Sequence, residues 1–389
     1  MRTARGGKGE AMDSPRVLVV NAGSSSLKLT LLDHDDRTLA ERELPASRAA
    51  FDPGELRDAL AGALGEADAV AHRIVHGGSR FREAALIDAE VEAALRELVE
   101  LAPLHQPKSL AALDAVSAAL PHIPAVACFD TAFHATLPAA ASTYAIPAAW
   151  RKRWSARRFG FHGLSHAWVA RRAPALAGVA ERELRIVSCH LGAGASVCAI
   201  AGGRSIDTTM GFTPLEGLVM ATRSGSVDPG LLLWLLERAG LSERELSDAL
   251  EHESGLLALA GSPDMRTVLE RAEIGDANAA LALEVYLHRL RAAIAAMAAS
   301  LGGLDVLAFT GGVGERAARI RALAADRLEF LGIALDRESN ERAQPDADLS
   351  APSASVRTLV IRAREDLEMA SQARRLLAGE HVRKRRGSL

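Results

Sequence analysis

Short apolar runs separated by bends of small polar residues form the clearest pattern near the start of the chain. Residues 17–20 are apolar, and in 27–32 the polar side chains of Lys28 and Thr30 alternate with leucines. Segments of this length and period indicate β-strands. The residues between them, Asn-Ala-Gly-Ser-Ser-Ser at 21–26, are typical of a turn. The pattern predicts a β-hairpin whose bend carries little side-chain bulk.

The same pattern returns in the second half of the chain. Residues 184–189 and 197–200 are apolar, and the bend between them, 190–196, reads His-Leu-Gly-Ala-Gly-Ala-Ser. A strand–bend–strand unit that occurs twice indicates two related halves rather than two unrelated domains. A third apolar run, 306–309, leads into Thr-Gly-Gly-Val-Gly-Glu at 310–315. We interpret this last segment as a glycine-rich turn before an amphipathic stretch.

Segments with helical character separate the predicted strands. They cover residues 89–100, 109–119, 229–238, 243–252, 276–300 and 365–377. Strands that alternate with helices indicate an α/β fold. We expect the polar segment 337–355 to be a surface excursion, followed by a last strand at 356–361. The Arg- and Trp-rich segment 150–158 is the candidate boundary between the halves.

The composition is that of a globular protein of roughly two domains. The chain has 389 residues, of which 49% are hydrophobic, and 46 Lys+Arg stand against 49 Asp+Glu. This near-neutral balance argues against a dedicated nucleic-acid binder, so no nucleic-acid partner is expected. The three cysteines show no framework spacing, which fits a reducing cytoplasm. The longest apolar stretch, 292–304, is too short to span a bilayer, so no membrane partner is expected.

The first bend offers closely spaced backbone N–H groups, hydroxyl groups and one ammonium group. Small side chains let the main chain approach an oxyanion, and phosphate is the commonest such partner. A plain hairpin turn is the alternative. Only five of the 46 cations are lysines, which favours phosphate, although a GC-rich genome also explains the scarcity. The candidate phosphate contacts here are Asn21, Ser24, Ser26 and Lys28.

The other two bends support the same hypothesis. The glycines of 190–196 permit close approach of an anion, and a hairpin turn is again the alternative. The segment 310–315 resembles a nucleotide-contacting turn, for which a tight β–α connection is the alternative. If the three bends act together, a nucleoside would lie between 310–315 and the loop 262–266.

Three further segments place Arg or His among glycines and turn residues: 71–78, 159–166 and 221–229. Because arginine binds phosphate and carboxylate oxygens bidentately, such positions suit a site that brings two anions together. For His72, His76 and His166 a structural hydrogen-bonding role is the better hypothesis.

Two carboxylates follow predicted strands. Asp130 comes after the apolar run 125–128, and Glu365 comes after the last strand. Sites of α/β proteins gather at the carboxyl ends of strands. Carboxylates there suit Mg²⁺, which prefers oxygen ligands shared with nucleotide phosphates.

In combination, seven segments resemble the acetate kinases, the acetokinase branch of the actin/Hsp70/sugar-kinase superfamily. They are Val-Asn-Ala-Gly-Ser-Ser-Ser-Leu-Lys (20–28), His-Arg-Ile-Val-His-Gly-Gly (72–78), Leu-Ala-Pro-Leu-His (101–105), Phe-Asp-Thr-Ala-Phe-His (129–134), Gly-Phe-His-Gly-Leu-Ser-His (160–166), Gly-Phe-Thr-Pro-Leu-Glu-Gly-Leu (211–218) and Thr-Gly-Gly-Val-Gly-Glu (310–315). The resemblance covers about residues 16–378, nearly the whole chain.

The resemblance implies a fold and a reaction. The fold is two duplicated RNase H-like domains, at 15–150 and 151–365, with an active cleft between them. A helix at 366–380 would return to the first domain, and the ends, 1–14 and 381–389, would be a disordered tail and a basic tail. The reaction is the reversible conversion of ATP and acetate into ADP and acetyl phosphate, with Mg²⁺ or Mn²⁺, in a cytoplasmic homodimer.

The resemblance also implies roles for single residues. Arg73 and Arg223 would hold acetate and the transferring phosphoryl group, and His162 would hydrogen-bond that group at the transition state. Asp130 and Glu365 would place the metal, with Asn21 near the phosphates or the metal's waters. The nucleotide would be held by His190, Gly192, Gly194, Asp264, Met265, Arg266, Gly311, Gly312, Val313 and Gly314. The methyl group would lie in a pocket of Val75, Leu104, Phe161 and Pro214.

This chemistry needs no general base. Acetate is ionised at pH 7 because carboxyl pKa values lie at about 4. Phosphoryl transfer then asks mainly for positioning and charge neutralisation. We therefore expect Asp130 to serve the metal or positioning and not base catalysis.

The chain departs from the family pattern at a few positions. Ala193 and Arg364 stand where Asn is usual, Met265 stands where Phe is common, and Gln106 departs from the usual His-Asn-Pro. These departures bear on nucleotide affinity and donor choice. A propionate or butyrate kinase is an alternative, since one CH₂ group is worth only about 0.8 kcal/mol of burial. A nucleotide-binding regulatory protein that has lost catalysis is a more distant alternative.

Overall fold

The computed structural model describes residues 14–23, 26–45, 52–102, 106–180 and 184–386. Its strands are β1 Val17–Ala22, β2 Ser26–Leu32, β3 Thr38–Pro45, β4 Ala69–Ile74, β5 Ala85–Leu86, β6 Ala125–Phe129, β7 Arg185–Leu191, β8 Ala195–Ala201, β9 Arg204–Thr208, β10 Val306–Thr310, β11 Ala347–Asp348 and β12 Arg357–Val360. Its α-helices are α1 Pro53–Leu60, α2 Ala89–Glu97, α3 Gln106–Ala119, α4 Ala139–Ser142, α5 Ala148–Trp154, α6 Gly163–Ala177, α7 Pro229–Glu237, α8 Glu243–His252, α9 Gly255–Ala260, α10 Met265–Glu273, α11 Ala277–Ser300, α12 Gly311–Arg316, α13 Ala318–Ala325, α14 Arg337–Arg342 and α15 Glu365–Arg386.

The strands form two sheets with the same topology. The first has the order β3-β2-β1-β4-β6-β5, and the second, taken from its other edge, has the order β9-β8-β7-β10-β12-β11. In each sheet the first three strands form an antiparallel meander, the next two join in parallel, and a short antiparallel strand closes the edge. The prediction of an α/β fold with two duplicated halves is confirmed.

The hairpins at 17–32 and 185–201 are the strands that the apolar runs predicted. Val19 and Leu29 of the first hairpin are buried, as are Val187 and Val197 of the second. Helices cover both faces of the first hairpin, because Leu29 packs in one cluster with α1 and α3 and Val19 packs in another with α6 and α15.

Two long helices connect the sheets. In α15, Met369 and Ala370 pack in one cluster with Val17 and Val19 of the first sheet. In α6, Leu164 joins that same cluster, whereas Val169 packs with residues of the second sheet. Both helices begin at the carboxyl ends of parallel strands, so their first residues lie where the two sheets approach each other.

The structure corrects two predictions of local structure. The glycine-rich segment 310–315 is no loose turn, because α12 begins at Gly311, whose φ of +78° lets the chain enter the helix beside the backbone of Leu191. The segment 337–355 is no surface excursion, because it contains α14 and the edge strand β11. Asn340 and Leu349 are buried there, and Asn340 Oδ1 accepts a 2.8 Å hydrogen bond from the buried guanidinium of Arg321.

Some sequence predictions fall outside the described residues or stay open. Ser24 and Leu104 lie outside the described residues, as do 1–13 and 387–389. The last helix continues to Arg386, beyond the predicted end at 377 and into the predicted basic tail. Within the described chain, none of the helices is both long and apolar enough to cross a membrane. The domain boundaries at 150/151 and 365/366 stay a prediction.

Candidate active site

Three neighbouring parallel strands of the first sheet end in a connected group of polar side chains. Arg73 near the end of β4 donates to both carboxylate oxygens of Asp130, which follows β6; the shortest contact, Nη2 to Oδ2, is 2.7 Å. Arg73 Nη1 also donates to Asn21 Oδ1 of β1 at 3.1 Å. The order β1-β4-β6 therefore places an amide, a guanidinium and a carboxylate side by side.

The side chains of Arg73 and Asp130 are largely buried, which strengthens the electrostatic interaction between them. The Asp130 side chain is 2% exposed and that of Arg73 is 16% exposed. Burial raises the pKa of Asp130, and the guanidinium of Arg73 opposes that rise. Burial alone would lower the pKa of Arg73, but the charges of Asp130 and Glu365 raise it above the ordinary value of arginine. We infer an ion pair, since separating either charge from its partner would leave it uncompensated in the interior.

Glu365, the first residue of α15, completes this side of the site. Its Oε2 accepts a 3.3 Å hydrogen bond from Asn21 Nδ2. Asn21 therefore bridges Arg73 and Glu365 through its two amide atoms. Among the described residues, no three His, Cys, Asp or Glu side chains form a group that could hold a metal ion unaided. The carboxylate of Glu365 and the amide of Asn21 nevertheless fit Mg²⁺, which is usually bound by one or two carboxylates together with substrate phosphates.

His162 faces this group from the start of α6. It is the N-cap residue of that helix and has a φ of +54°, a left-handed conformation that non-glycine residues rarely adopt. The next residue, Gly163, donates its backbone N–H to the carbonyl oxygen of Asp130 at 2.8 Å. Burial lowers the pKa of His162 well below its ordinary value, and the nearby guanidinium groups of Arg73 and Arg223 lower it further. The imidazole is therefore neutral at pH 7.

Arg223 approaches from the second half of the chain. Its Nε lies 3.1 Å from Glu251 Oε2, and its Nη1 donates to the carbonyl oxygen of Pro214 at 3.3 Å. Burial lowers the pKa of Arg223, and the carboxylate of Glu251 opposes the change. Glu251 was missed by the sequence analysis, because it lies inside the amphipathic helix α8 where a glutamate is unremarkable.

Gly194 of the second bend marks the point where these groups meet. A Cβ atom at Gly194 would lie 3.1 Å from His162 Nε2 and 3.5 Å from Arg223 Nη1. Only a residue without a side chain leaves this space open between the imidazole and the guanidinium. The bend at Gly194, the imidazole of His162 and the guanidinium of Arg223 therefore enclose one small volume.

The second and third bends also approach each other. A Cβ atom at Gly192 would lie 3.7 Å from His190 Nε2 and 4.0 Å from the backbone nitrogen of Gly312. The rings of His190 and His162 stack with centroids 4.3 Å apart. Gly312 and Gly314 belong to the first turn of α12, whose N–H groups have no partner within the helix. This surface of backbone and imidazole can receive anionic oxygens.

An apolar surface lies beside the cations. Val75 and Phe161 belong to the same buried cluster, and Pro214 is also buried. The ring of His76 contacts Phe161 edge-on, with centroids 5.5 Å apart. These residues are the members of the predicted methyl pocket that lie within the described residues, and the pocket itself stays a prediction.

The structure does not bring all the predicted residues into this group. Lys28 pairs with Glu41 at 2.7 Å on the surface, although it is the cross-strand partner of Asn21 and so lies on the same sheet face. Ser26 begins β2, and its carbonyl oxygen accepts from the N–H of Gly23. Both belong to the rim of the site.

The predicted adenosine loop lies at the start of α10. Asp264 is the N-cap residue of α10, and its carboxylate binds the exposed guanidinium of Arg266 at 2.6 Å. Met265 is 5% exposed and packs in the core of the second half. Its contact with adenine stays a prediction. Val313 is half-buried and packs against the same core.

Comparison with known proteins gives consistent matches. A model of the acetokinase family matches residues 54–371. The chain is 41% identical over 394 aligned residues to the acetate kinase of Acetivibrio thermocellus, covering 93% of this chain and 99% of that protein. The crystal structure of Porphyromonas gingivalis acetate kinase matches with a TM-score of 0.85 and 36% identity, over 93% of this chain and 99% of that one. The crystal structure of a propionate kinase from Francisella tularensis matches with a TM-score of 0.86 and 34% identity, over 92% and 99%.

Proposed function

The chain belongs to the acetokinase family, and on that premise we propose that it transfers the γ-phosphoryl group of ATP reversibly to acetate. The products are acetyl phosphate and ADP. The observation that carries the proposal is the pairing of Asp130 with Arg73 through both carboxylate oxygens. A carboxylate that accepts hydrogen bonds from a guanidinium through both oxygens is a poor general base. Acetate, as the acceptor of the phosphoryl group, needs no general base.

The reaction requires two anions to meet. An oxygen of acetate attacks the γ-phosphorus, the bond to the β–γ bridging oxygen breaks, and ADP leaves with that oxygen. No proton is transferred, because acetate is ionised at pH 7. In the proposal Arg73 and Arg223 reduce the repulsion between acetate and the phosphoryl group, and neutral His162 donates an N–H to a phosphoryl oxygen. Preorganised donors of this kind are worth most in a buried site.

The second half would hold the nucleotide. Gly192, Gly194 and the first turn of α12 present backbone to the phosphates, and His190 Nε2 faces the same space. A helix N-terminus favours negative charge because its N–H groups and its dipole point at the anion. Asp264 and Arg266 remain the proposed adenosine contacts.

Mg²⁺ is part of the proposal, with Mn²⁺ as a substitute. Glu365 and Asn21 would hold it, with Asp130 next to them as a neighbour that fixes Arg73. When bound, the ion would neutralise charge on the phosphates. The chain's own residues hold the two substrates in line and exclude water from between them.

Propionate is a second candidate acceptor. The observation that favours it is the 34% identity to a solved propionate kinase over 92% of this chain. A pocket of Val75, Phe161 and Pro214, with Leu104 as a predicted further member, would bury the methyl group of acetate. One more methylene changes the binding free energy by only about 0.8 kcal/mol, so the pocket separates the two acids weakly.

We further propose a homodimer that works in the cytoplasm. Helix α7 has no buried residue, and it exposes Leu231, Leu233 and Trp234, which are 46%, 59% and 56% exposed. A contiguous apolar surface of this kind is typical of a protein–protein interface. The three cysteines are buried and form no disulfide, which suits a reducing compartment. Sedimentation of the wild type against Trp234→Glu tests the dimer.

A panel of carboxylates and phosphate donors tests the function. The purified protein is incubated with Mg²⁺, ATP and acetate, propionate or butyrate, and the acyl phosphate is trapped with hydroxylamine. We expect product with acetate at the highest kcat/KM, and a higher value with propionate would favour the second candidate. If no combination of acid and donor gave product, a regulatory protein that has lost catalysis would be the remaining hypothesis. Full turnover by Arg223→Ala would overturn the site assignment.

A further inference from the structure

Hydrogen bonds connect histidine and serine side chains alternately in a line from His162 into the protein interior. His162 Nδ1 lies 3.0 Å from Ser196 Oγ, and the same oxygen lies 2.8 Å from His166 Nε2. The other nitrogen of that ring, His166 Nδ1, lies 2.9 Å from Ser188 Oγ. Ser188, Ser196 and His166 are fully buried. The contacts join four side chains in one line that ends at the candidate site.

The fold explains why these four side chains meet. His162 and His166 are one helical turn apart at the start of α6, so they lie on the same side of the helix. In the sheet, β7 and β8 pair His190 with Ser196 and Ser188 with Cys198. Ser188 and Ser196 therefore face the same side, and α6 packs there through Val169 and Ile186.

The number of protons restricts the hydrogen bonds. A neutral imidazole carries one N–H and one acceptor nitrogen, and a serine hydroxyl carries one proton. Ser196 can give its proton to only one of the two rings, so the other ring must donate to Ser196 Oγ. Burial keeps both rings neutral, because it lowers the pKa of His162 and of His166 well below the ordinary value. A third arrangement, in which both rings donate to Ser196 Oγ, would leave the buried Ser196 proton without an acceptor among the described residues, which is unfavourable. Two opposite directions of the line remain.

The inner end of the line selects one direction. Within the described residues, His166 Nδ1 is the one hydrogen-bond partner of Ser188 Oγ. If His166 donated from Nδ1, the buried hydroxyl proton of Ser188 would have no acceptor, which is unfavourable. If Ser188 donates to His166 Nδ1, then His166 Nε2 donates to Ser196, and Ser196 donates to His162 Nδ1. His162 must then carry its proton on Nε2, the nitrogen beside Gly194.

We propose that His166, held between Ser188 and Ser196, is a positioning residue that fixes His162 as the Nε2–H tautomer, so that His162 offers a hydrogen-bond donor to the phosphoryl group. The proposal deepens the proposed function and rests on it for the identity of the acceptor. It makes no claim of contact between His166 and a substrate. The opposite tautomer would turn a lone pair of His162 towards the phosphoryl oxygens and repel them.

The tautomer is measured in the free protein by ¹⁵N NMR. The full-length protein is labelled with [¹⁵N]histidine, and the imidazole nitrogens are observed at pH 7 through their couplings to the ring carbon-bound protons. A His162→Gln spectrum identifies the His162 signals. We expect the proton on Nε2 of His162, and a proton on Nδ1 in the wild type would overturn the proposal. This readout does not depend on turnover, so a protein that is inactive towards acetate still tests it.

Two variants connect the tautomer to the reaction. Ser196→Ala removes the donor to His162 Nδ1, and we expect a mixture of tautomers and a fall in kcat of about tenfold, as for the loss of one hydrogen bond. KM for acetate should change much less, because Arg73 and Arg223 are untouched. Ser196→Thr keeps the hydroxyl and should retain the Nε2–H tautomer. An unchanged tautomer and an unchanged kcat in Ser196→Ala would overturn the proposal.

Ser205→Ala is the matched control. Ser205 Oγ is buried in the same sheet and lies 2.8 Å from His134 Nδ1. The other ring nitrogen of His134 lies 3.0 Å from the carbonyl oxygen of Phe161, so this contact reaches the backbone beside His162 but neither ring nitrogen of His162. A general loss of packing would lower kcat equally in Ser196→Ala and Ser205→Ala, with no change in the His162 signals. That result would assign the line a structural role only and would overturn the proposal.

Discussion

In the first sheet, the parallel strands β1, β4 and β6 carry Asn21, Arg73 and Asp130 at or next to their carboxyl ends. In the second sheet, their counterparts β7 and β10 are followed directly by Gly192 and Gly311. The strand order is the same in the two sheets. The first half therefore supplies charged and amide side chains at positions where the second half supplies open backbone. One architecture thus provides two complementary surfaces of a cleft.

The third pair of equivalent strands, β6 and β12, also differs between the two halves, although less strongly. Asp130 follows β6 and Glu365 follows β12, so each half provides a carboxylate at an equivalent place. Asp130 is bound by Arg73 through both oxygens, but Glu365 accepts only from Asn21 in the contacts seen here. Under the proposed function, the carboxylate of Glu365 binds the metal ion, and that of Asp130 holds the guanidinium of Arg73 in place.

The largest effect is expected from Arg73→Ala, which removes the central charge of the first half. We expect kcat to fall by about 10³-fold, as for the loss of an arginine that stabilises a transferring phosphoryl group. The variant should also lose about 3–5 kcal/mol of unfolding free energy, because Asp130 is left buried without its partner. Steady-state kinetics and urea unfolding measure the two effects.

Arg185→Ala is the matched control for that variant. Arg185 also forms a bidentate pair, with Asp305, but at the opposite end of the second sheet, where its side chain is 40% exposed. Its loss should leave kcat within about twofold and cost no more than about 1 kcal/mol of stability. Equal losses of activity in both variants would show that the first half contributes only stability.

Gly194→Ala tests the open backbone of the second half. The added methyl group would lie within 3.5 Å of both His162 Nε2 and Arg223 Nη1, and a small displacement of such groups costs roughly 10²-fold in rate. Gly379→Ala is the control, since a Cβ atom there meets nothing within 4 Å. Wild-type kcat in Gly194→Ala would contradict the assignment of this bend to the site.

Glu365→Gln tests the division between the two carboxylates. We expect the concentration of Mg²⁺ needed for half-maximal activity to rise roughly 10- to 100-fold, as when one group of a metal's surroundings is lost. Asp366→Asn is the control. Asp366 is the next residue along the helix, and its carboxylate lies 2.8 Å from Arg364 Nη2. If both variants needed the same Mg²⁺ concentration as the wild type, Glu365 would have no part in metal binding.

The smallest effect concerns a buried histidine of the first half away from the cleft. Burial lowers the pKa of His72 to about 4, from an ordinary value of 6.5. Between these values the unfolded chain binds a proton that the folded chain does not, so stability falls as the pH is lowered from 6.5 towards 4. His72→Phe should reduce this slope by up to about 1.4 kcal/mol per pH unit. Urea unfolding at pH 7 and 5 measures it.

His122→Gln provides the comparison for His72→Phe, because His122 is exposed. A slope in His72→Phe equal to that of the wild type would show that His72 takes up its proton in the folded state as readily as in the unfolded chain.

The first half of the site was more predictable from the sequence than the second. Arg73 and Asp130 follow apolar runs, and parallel strands bring their carboxyl ends together, so their proximity could be expected. Glu251 and Ser188 could not be found in this way, because each lies inside a regular element where nothing local distinguishes it. The burial of Met265 could not be expected either, since a loop pattern does not show which side chain turns into the core. The segment 337–355 was misplaced because its two buried residues, Asn340 and Leu349, are isolated among polar neighbours.

The central claim is that acetate, held by the charged first half, attacks the phosphoryl group that the second half presents. The most direct test uses [¹⁸O₂]acetate, ATP and Mg²⁺ with the wild-type protein, and ³¹P NMR of the acetyl phosphate. We predict that phosphorus carries one ¹⁸O, in the bridge to the acetyl group, because the acetate oxygen becomes that bridge. Acetyl phosphate without ¹⁸O on phosphorus, or no acetyl phosphate at all, would contradict the account.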